Sequence, residues 1–272
     1  TTLNNLFKEA GSTKRSQANI YETNVYQEDN KPSDYGGGNR ESNLKCDFQQ
    51  GTTIEFWLKA PTPSANSKQT IFHLTNSSGG DALTIYLSGS TGSPFHVNLD
   101  NSSTSVFSDQ QIGSTPTTSS ISSFSHYAIS FKSASSGIET KFYVNGRLDS
   151  TNTLGSAGVN TLTQKGTIAF IASGSVGFLS ASIDEFRFWK TERDAFQIGS
   201  NYFTHVRGGS NTDVSNATLG VYYKFNEGTT GVSATDKVVL DYAGRITNGT
   251  WNGTPSRSLE SAIVEAGAAS SE

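Results

Sequence analysis

Asp184 and Glu185 stand side by side in "SIDEFRFW" (182–189), and a charged run, "KTERD", follows directly. Neighbouring carboxylates among aromatics suit a glycosidase site, a metal site, or a strand running into a helix. A retaining glycosidase needs two carboxyl groups about 5–5.5 Å apart, flanking one bond. On a regular strand only residues i and i+2 share a face, so Asp184 and Glu185 are expected to point to opposite sides. Glu192 and Asp194 have the right offset but fall where a turn enters a helix. No carboxylate pair has suitable geometry, and the chain is expected not to be an enzyme.

Six other side chains could bind rather than react. Alternation places Trp57, Tyr86, His96, Arg187, Trp189 and Tyr222 on the outward faces of strands. Exposed aromatics beside polar groups can stack on sugar rings. Strands favour aromatics in any case, and the terminal segments could cover these residues as a second small core or a protein contact. The four histidines are scattered and offer no zinc spacing. "SNTDVSNATLG" (210–220) lacks the glycine and the closing Glu of an EF-hand loop.

The elements that must position these residues read mainly as strands. "TIEFWLKA" sets Ile54, Phe56 and Leu58 against Glu55, Trp57 and Lys59. "ALTIYLSG", "PFHVNLD" and "HYAISFKS" alternate in the same way, and "GTIAFIASG" and "LGVYYKFNEG" complete the set. Asn145-Gly146 in "TKFYVNGRLDS" is a two-residue hairpin signal, since both positions must take positive φ. Ser/Thr-rich runs such as "SSTSVFSDQQIGSTPTTSSIS" read as loops able to form a contact surface. One helix is expected after Thr191, with Asp194 three residues on as a capping box and Phe196, Tyr202 and Phe203 as its apolar side. A second, shorter helix is expected near Asn4 to Ala10. The pattern predicts an all-β, antiparallel two-sheet sandwich with one or two short helices. Residues 1–44 read as an N-terminal arm, 45–255 as the sandwich, and 256–272 as a C-terminal linker or tail.

Composition narrows the partners. The 272 residues carry a formal net charge of −4, only 16% are charged, and no basic stripe exists, so nucleic acid is not an expected partner. No apolar run approaches the roughly 18 residues of a membrane span. The chain contains no Met and opens on Thr1 without a signal peptide, as expected of a segment of a longer polypeptide. Cys46, the single cysteine, alternates with Leu44 and Phe48 and is expected to be buried.

The order of "TIEFWLKAP", "SHYAISFK", "KFYVNGRL" and "SASIDEFRFWKTERDAFQI" resembles laminin-G-like domains of the concanavalin A-like lectin/glucanase superfamily. "LGVYYKFNEGTTG" and "DYAGRITNGTW" are similar to a unit that flanks such domains, although Tyr242-Ala243-Gly244 stands where Ser-Gly is usual. The resemblance covers about Lys45 to Trp251 and implies a jelly-roll sandwich. The glucanases' Glu-x-Asp-x-x-Glu strand motif is missing. Asp184, expected inward with Phe186 and Phe188 at the rim of the core, needs a partner there. The resemblance implies that such an Asp can help hold a structural Ca²⁺; backbone N–H groups of a loop are the alternative partner. No other cofactor is expected.

"WKTERD", "VRGGSNTD" and "LGVYYKFNEG" further resemble copies of this domain in large virion proteins of tailed bacteriophages. That likeness implies a non-catalytic module of a particle assembled in the host cytoplasm, whose partners are other virion proteins or copies of itself. The alternative is an extracellular adhesion module for host surface glycans.

Overall fold

The structure, a computed structural model, describes residues 43–65, 67–76, 79–156, 158–159, 162, 168–206, 218–225, 238–243, 247–250 and 262. The expected helix at Asn4 to Ala10, the expected arm except Asn43 and Leu44, residues 207–217, and the expected tail except Ala262 lie outside these residues.

Two antiparallel sheets form the fold, as the alternating runs require. One has six strands in the order β11-β10-β1-β6-β7-β8: β1 Thr52–Lys59, β6 Ser125–Ala134, β7 Gly137–Val144, β8 Arg147–Leu154, β10 Ser182–Trp189 and β11 Leu219–Tyr223. The other has five, β5-β4-β3-β2-β9: β2 Lys68–Thr75, β3 Ala82–Ser88, β4 Phe95–Asn101, β5 Thr104–Gln111 and β9 Ile168–Ile171. A two-stranded ribbon joins β12 Val238–Val239 to β13 Gly249–Thr250. The Ser/Thr-rich stretch expected to be a loop contains β5, whose residues are mostly exposed because it is an edge strand.

Apolar side chains of both inner faces interdigitate between the sheets. Phe72 of β2 meets Phe186 and Phe188 of β10 at ring-centroid distances of 5.4 and 6.0 Å. Phe95 of β4 lies 4.6 Å from Tyr127 and 5.0 Å from Phe142. Face-to-face burial of this kind supplies the main stabilisation of a sandwich.

β10 departs from regular alternation. Glu55 pairs with Arg187 and Trp57 with Asp184, so a single β1 residue, Phe56, faces both Glu185 and Phe186. Glu185 takes φ 50°, the left-handed region, and forms the extra residue of a β-bulge. The bulge shifts the register by one and turns Asp184 to the outer face beside Trp57, rather than inward with Phe186 and Phe188 as strict alternation predicts. Asp184, Glu185 and Arg187 therefore all face outward.

Helix α1, Ala195–Asn201, also differs in detail. Its N-cap is Asp194, whose side chain accepts from Gln197 N while the Gln197 side chain accepts from Asp194 N. The capping box thus begins at Asp194, not Thr191. Ile198 is the buried residue of the helix, set among Ala128 and Tyr143, whereas Phe196 is 80% exposed. The β7–β8 turn takes φ 47° at Asn145 and 76° at Gly146. A Cβ on Gly146 would stand 2.5 Å from Tyr202 Cδ1, so this turn also lets the chain after α1 approach the sheet.

Cys46 is buried, and burial pushes its thiol up to about 12. A thiol held neutral does not attack disulfides. Cys46 should stay inert to Ellman's reagent at pH 8 and react within minutes in denaturant; rapid reaction of the native chain would contradict this packing.

Candidate functional site

Four of the six residues expected to face a ligand come together on the outer face of the six-stranded sheet: Trp57, Arg187, Trp189 and Tyr222. Each is at most 3% exposed. What covers them is α1, the segment 202–206 that follows it, residues 241–243 and Ala262. Trp57 donates from Nε1 to the Tyr202 carbonyl at 3.2 Å, stacks on the Tyr202 ring, and shares a cluster with Ala262. Trp189 packs with Leu219, Tyr222 and Ala243. On this face the aromatics form a second small core.

A charged network lies inside that core. Glu55 is fully buried; its Oε1 accepts from Arg193 at 2.7 Å and its Oε2 from Arg187 at 3.5 Å. Arg187, equally buried, also reaches Glu185 Oε2 at 3.2 Å and donates to the carbonyls of Asn201 at 3.1 Å and Thr204 at 2.5 Å. Arg193 donates to the Gln197 carbonyl at 2.9 Å and lays its guanidinium 4.1 Å from the Trp189 ring. Glu185 further accepts from the Tyr222 hydroxyl and pairs with His205, 3.1 Å away and half exposed. Two carboxylates and two guanidiniums balance, which is the condition for burying them.

Burial alone would raise the Glu55 carboxyl, but Arg193, His126 and Arg187 overcome it and hold the group down at about 2. His126 is buried with its Nε2 3.6 Å from Glu55 Oε2, beyond hydrogen-bond reach, and burial lowers its pKa.

Asp184 accepts from Ala262 N and from Glu185 N, both at 2.9 Å, and burial pushes its carboxyl up to about 6. These are N–H donors, which suit a carboxylate and not a cation. Among the described residues no group of three or more His, Cys, Asp or Glu side chains can hold a metal ion. The two backbone N–H groups are the kind of partner expected as the alternative to Ca²⁺.

Tyr86 and His96 belong to the other sheet and lie on its outer face. The Tyr86 hydroxyl donates to Asp109 Oδ1 at 2.5 Å and to Asn98 Oδ1 at 3.3 Å. His96 hydrogen-bonds Ser90 through Nε2 at 3.0 Å. Its Nδ1 stands 3.0 Å from Asp109 Oδ1 but out of line for a hydrogen bond, and is buried without another partner. Lys68 bridges to Asp109 at 3.0 Å and covers the Tyr86 ring at 5.3 Å. Sequence reasoning missed Asp109, Lys68, His73 and Phe170. Asp109 was hidden because β5 reads as a loop, and Lys68, at the start of β2, gains its role only by pairing with it, while His73 and Phe170 alternate with apolar neighbours and could have been found.

With this geometry in view, residues 36–199 match the Laminin_G_3 family model, described as concanavalin A-like lectin/glucanases superfamily, and the chain belongs to that family. No curated protein sequence matches the chain. Among solved structures it is similar to a Bacteroides ovatus protein with an inferred carbohydrate-binding role. Their identity is 18% over 76% of this chain and 53% of that one, with a TM-score of 0.46. The chain therefore spans about half the length of that relative. A heptameric SAP-like pentraxin from Limulus polyphemus is 12% identical, covering 62% of this chain and 77% of that one at TM-score 0.39. Domain 4 of AbnA, an extracellular GH43 arabinanase from Geobacillus stearothermophilus in complex with arabinotriose, is 16% identical, covering 59% and 69% at TM-score 0.39. Among the described residues no helix is long and apolar enough to cross a membrane.

Removing one partner of a buried pair strands the other charge, at a cost of about 3–5 kcal/mol. Glu55→Gln should lower stability at pH 7 by about that amount in denaturant titrations. A carboxyl held below its ordinary value stabilises fully above about 4.5 and loses that contribution as the pH falls towards about 2. The wild-type advantage over Glu55→Gln should therefore shrink across that window. An unchanged difference from pH 7 to pH 2.5 would contradict the account.

Proposed function

We propose that the chain is a non-catalytic interaction module of a virion structural protein from a tailed bacteriophage, docking to other virion proteins or to copies of itself. The observation that carries the non-catalytic part is the engagement of its outward carboxylates. Glu55 and Glu185 are taken up by Arg187, Arg193 and Tyr222 beneath a covering segment, and Asp184 by two backbone N–H groups. A general acid or nucleophile must reach its substrate, and these groups are enclosed by their own chain. The virion setting rests on the likeness of "WKTERD", "VRGGSNTD" and "LGVYYKFNEG" to phage-borne copies of the domain. In this reading the domain matures in the host cytoplasm and acts on the particle.

A second reading, an extracellular-facing module that binds host surface glycans, is favoured by one feature. The outer face of the five-stranded sheet exposes Phe170 stacked with His73, at a ring distance of 6.2 Å, beside a row of hydroxyl, amide and carboxylate groups. The two readings agree on chemistry, since neither makes or breaks a bond in its partner.

Mass spectrometry of the purified parent phage particle should recover peptides of this chain in stoichiometric amount, and the isolated chain should release no reducing sugar from any polysaccharide it binds. Absence from the particle would remove the virion role; sugar release abolished by Glu185→Gln would remove the non-catalytic one.

A further inference from the structure

Register across the five-stranded sheet builds one outward row. Phe170 of β9 pairs with His73 of β2, His73 with Thr84 of β3, and Thr84 with Asn98 of β4. Asn98 in turn faces a bulge in β5, where Leu99 pairs with Phe107 and Val97 with Gln110, leaving two residues opposite one. Asp109 is one of the two, at φ 54°, and its backbone N–H donates to Asn98 Oδ1 at 2.7 Å. A left-handed non-glycine residue is held there by its surroundings, and such positions concentrate at functional sites. Five strands spaced roughly 4.8 Å apart make the row about 19 Å long, the dimension of an extended chain rather than a single ring.

The two ends of the row differ in chemistry. At one end Phe170 remains 37% exposed, and the loop after β9 lies against His73 and Thr70 and carries Phe178, 82% exposed. At the other end the Asp109 side chain is 52% exposed, with one oxygen taken by Tyr86 and the other by Lys68. A carboxylate offers about four acceptor positions, so Asp109 retains capacity on its exposed side. His96 Nδ1, buried and without a hydrogen bond, points towards the same carboxylate. The Lys68–Asp109 pair is exposed and thus readily exchanged for a ligand's hydroxyl groups, uncovering the Tyr86 ring beneath.

We propose that this row is a binding site for a neutral oligosaccharide chain, whose apolar sugar faces rest on Phe170 and whose hydroxyls bond to Asn98 and Asp109. The inference rests on the glycan-binding reading above and goes beyond it in naming the face, the residues and the ligand class. Lys68 and Asp109 cancel, so the site lacks the net positive charge that sulfated or uronic-acid polymers require. Rings at one end and acceptor groups at the other suit a ligand that is apolar on one side and hydroxyl-rich at its edges.

The test is a titration of the whole chain against neutral glycans (mannan, xylan, arabinan and β-glucan oligosaccharides), with heparin as the anionic control. Phe170 lies on an edge strand, so Phe170→Ala should fold, and circular dichroism checks Asp109→Ala. At least one neutral glycan should bind, with each substitution weakening it tenfold or more and Phe196→Ala, on the opposite side of the sandwich, leaving it unchanged. Binding that survives both substitutions would overturn this site while leaving a glycan-binding module standing. A chain that binds none of the neutral glycans, or prefers heparin, would overturn the inference together with the reading beneath it.

Discussion

Arg187 and Glu55 face each other across the β1–β10 ladder with almost no exposure, and neither could remain there alone. Removing an ion from water costs several kcal/mol even after relaxation, and only close, well-directed partners offset it. Arg193 and Glu185 complete the charge balance, and the carbonyls of Gln197, Asn201 and Thr204 take up further guanidinium donors. Those carbonyls belong to α1 and the segment after it. The electrostatic demand of the sheet thus fixes the path of the chain that closes over it, and this closure makes Trp57, Trp189 and Tyr222 core residues.

The bulge at Glu185 is what brings the network together. Without the extra residue, Asp184 would turn into the apolar interior. With it, the acidic pair and Arg187 share one face, and Asp184 accepts the backbone N–H of Ala262 there. The same register leaves Phe186 and Phe188 inward against Phe72, so one local irregularity serves both the main core and the second one. The two outer faces consequently differ: one is sealed by its own chain, the other keeps an aromatic end and a carboxylate end open.

Period-two runs made β1, β3, β4 and β6 legible, because each has one face in the core and apolar residues at every second position. The Asn145-Gly146 turn was legible because few other residue pairs accept both positive φ angles. The bulge was not: Glu carries no preference for the left-handed region, and only the pairing with β1 reveals it. β5 was hidden by Ser, Thr, Asp and Gln, which an edge strand tolerates. The residues on the outward faces could be named from alternation, but alternation does not say what lies over them. That depends on α1 and segments far along the chain, and on a capping box three residues later than "TERD" suggests.

Hydrogen exchange of α1 and residues 202–206 tests the central claim most directly, since this covering segment has few apolar anchors apart from Ile198 and the ring contacts of Tyr202. If the buried ions fasten it, its amides should exchange as slowly as those of β1 in the wild-type chain and become fast in Arg187→Ala while the five-stranded sheet stays protected. Fast exchange of the segment in the wild-type chain, or protection that survives Arg187→Ala, would show that the network does not hold this face closed.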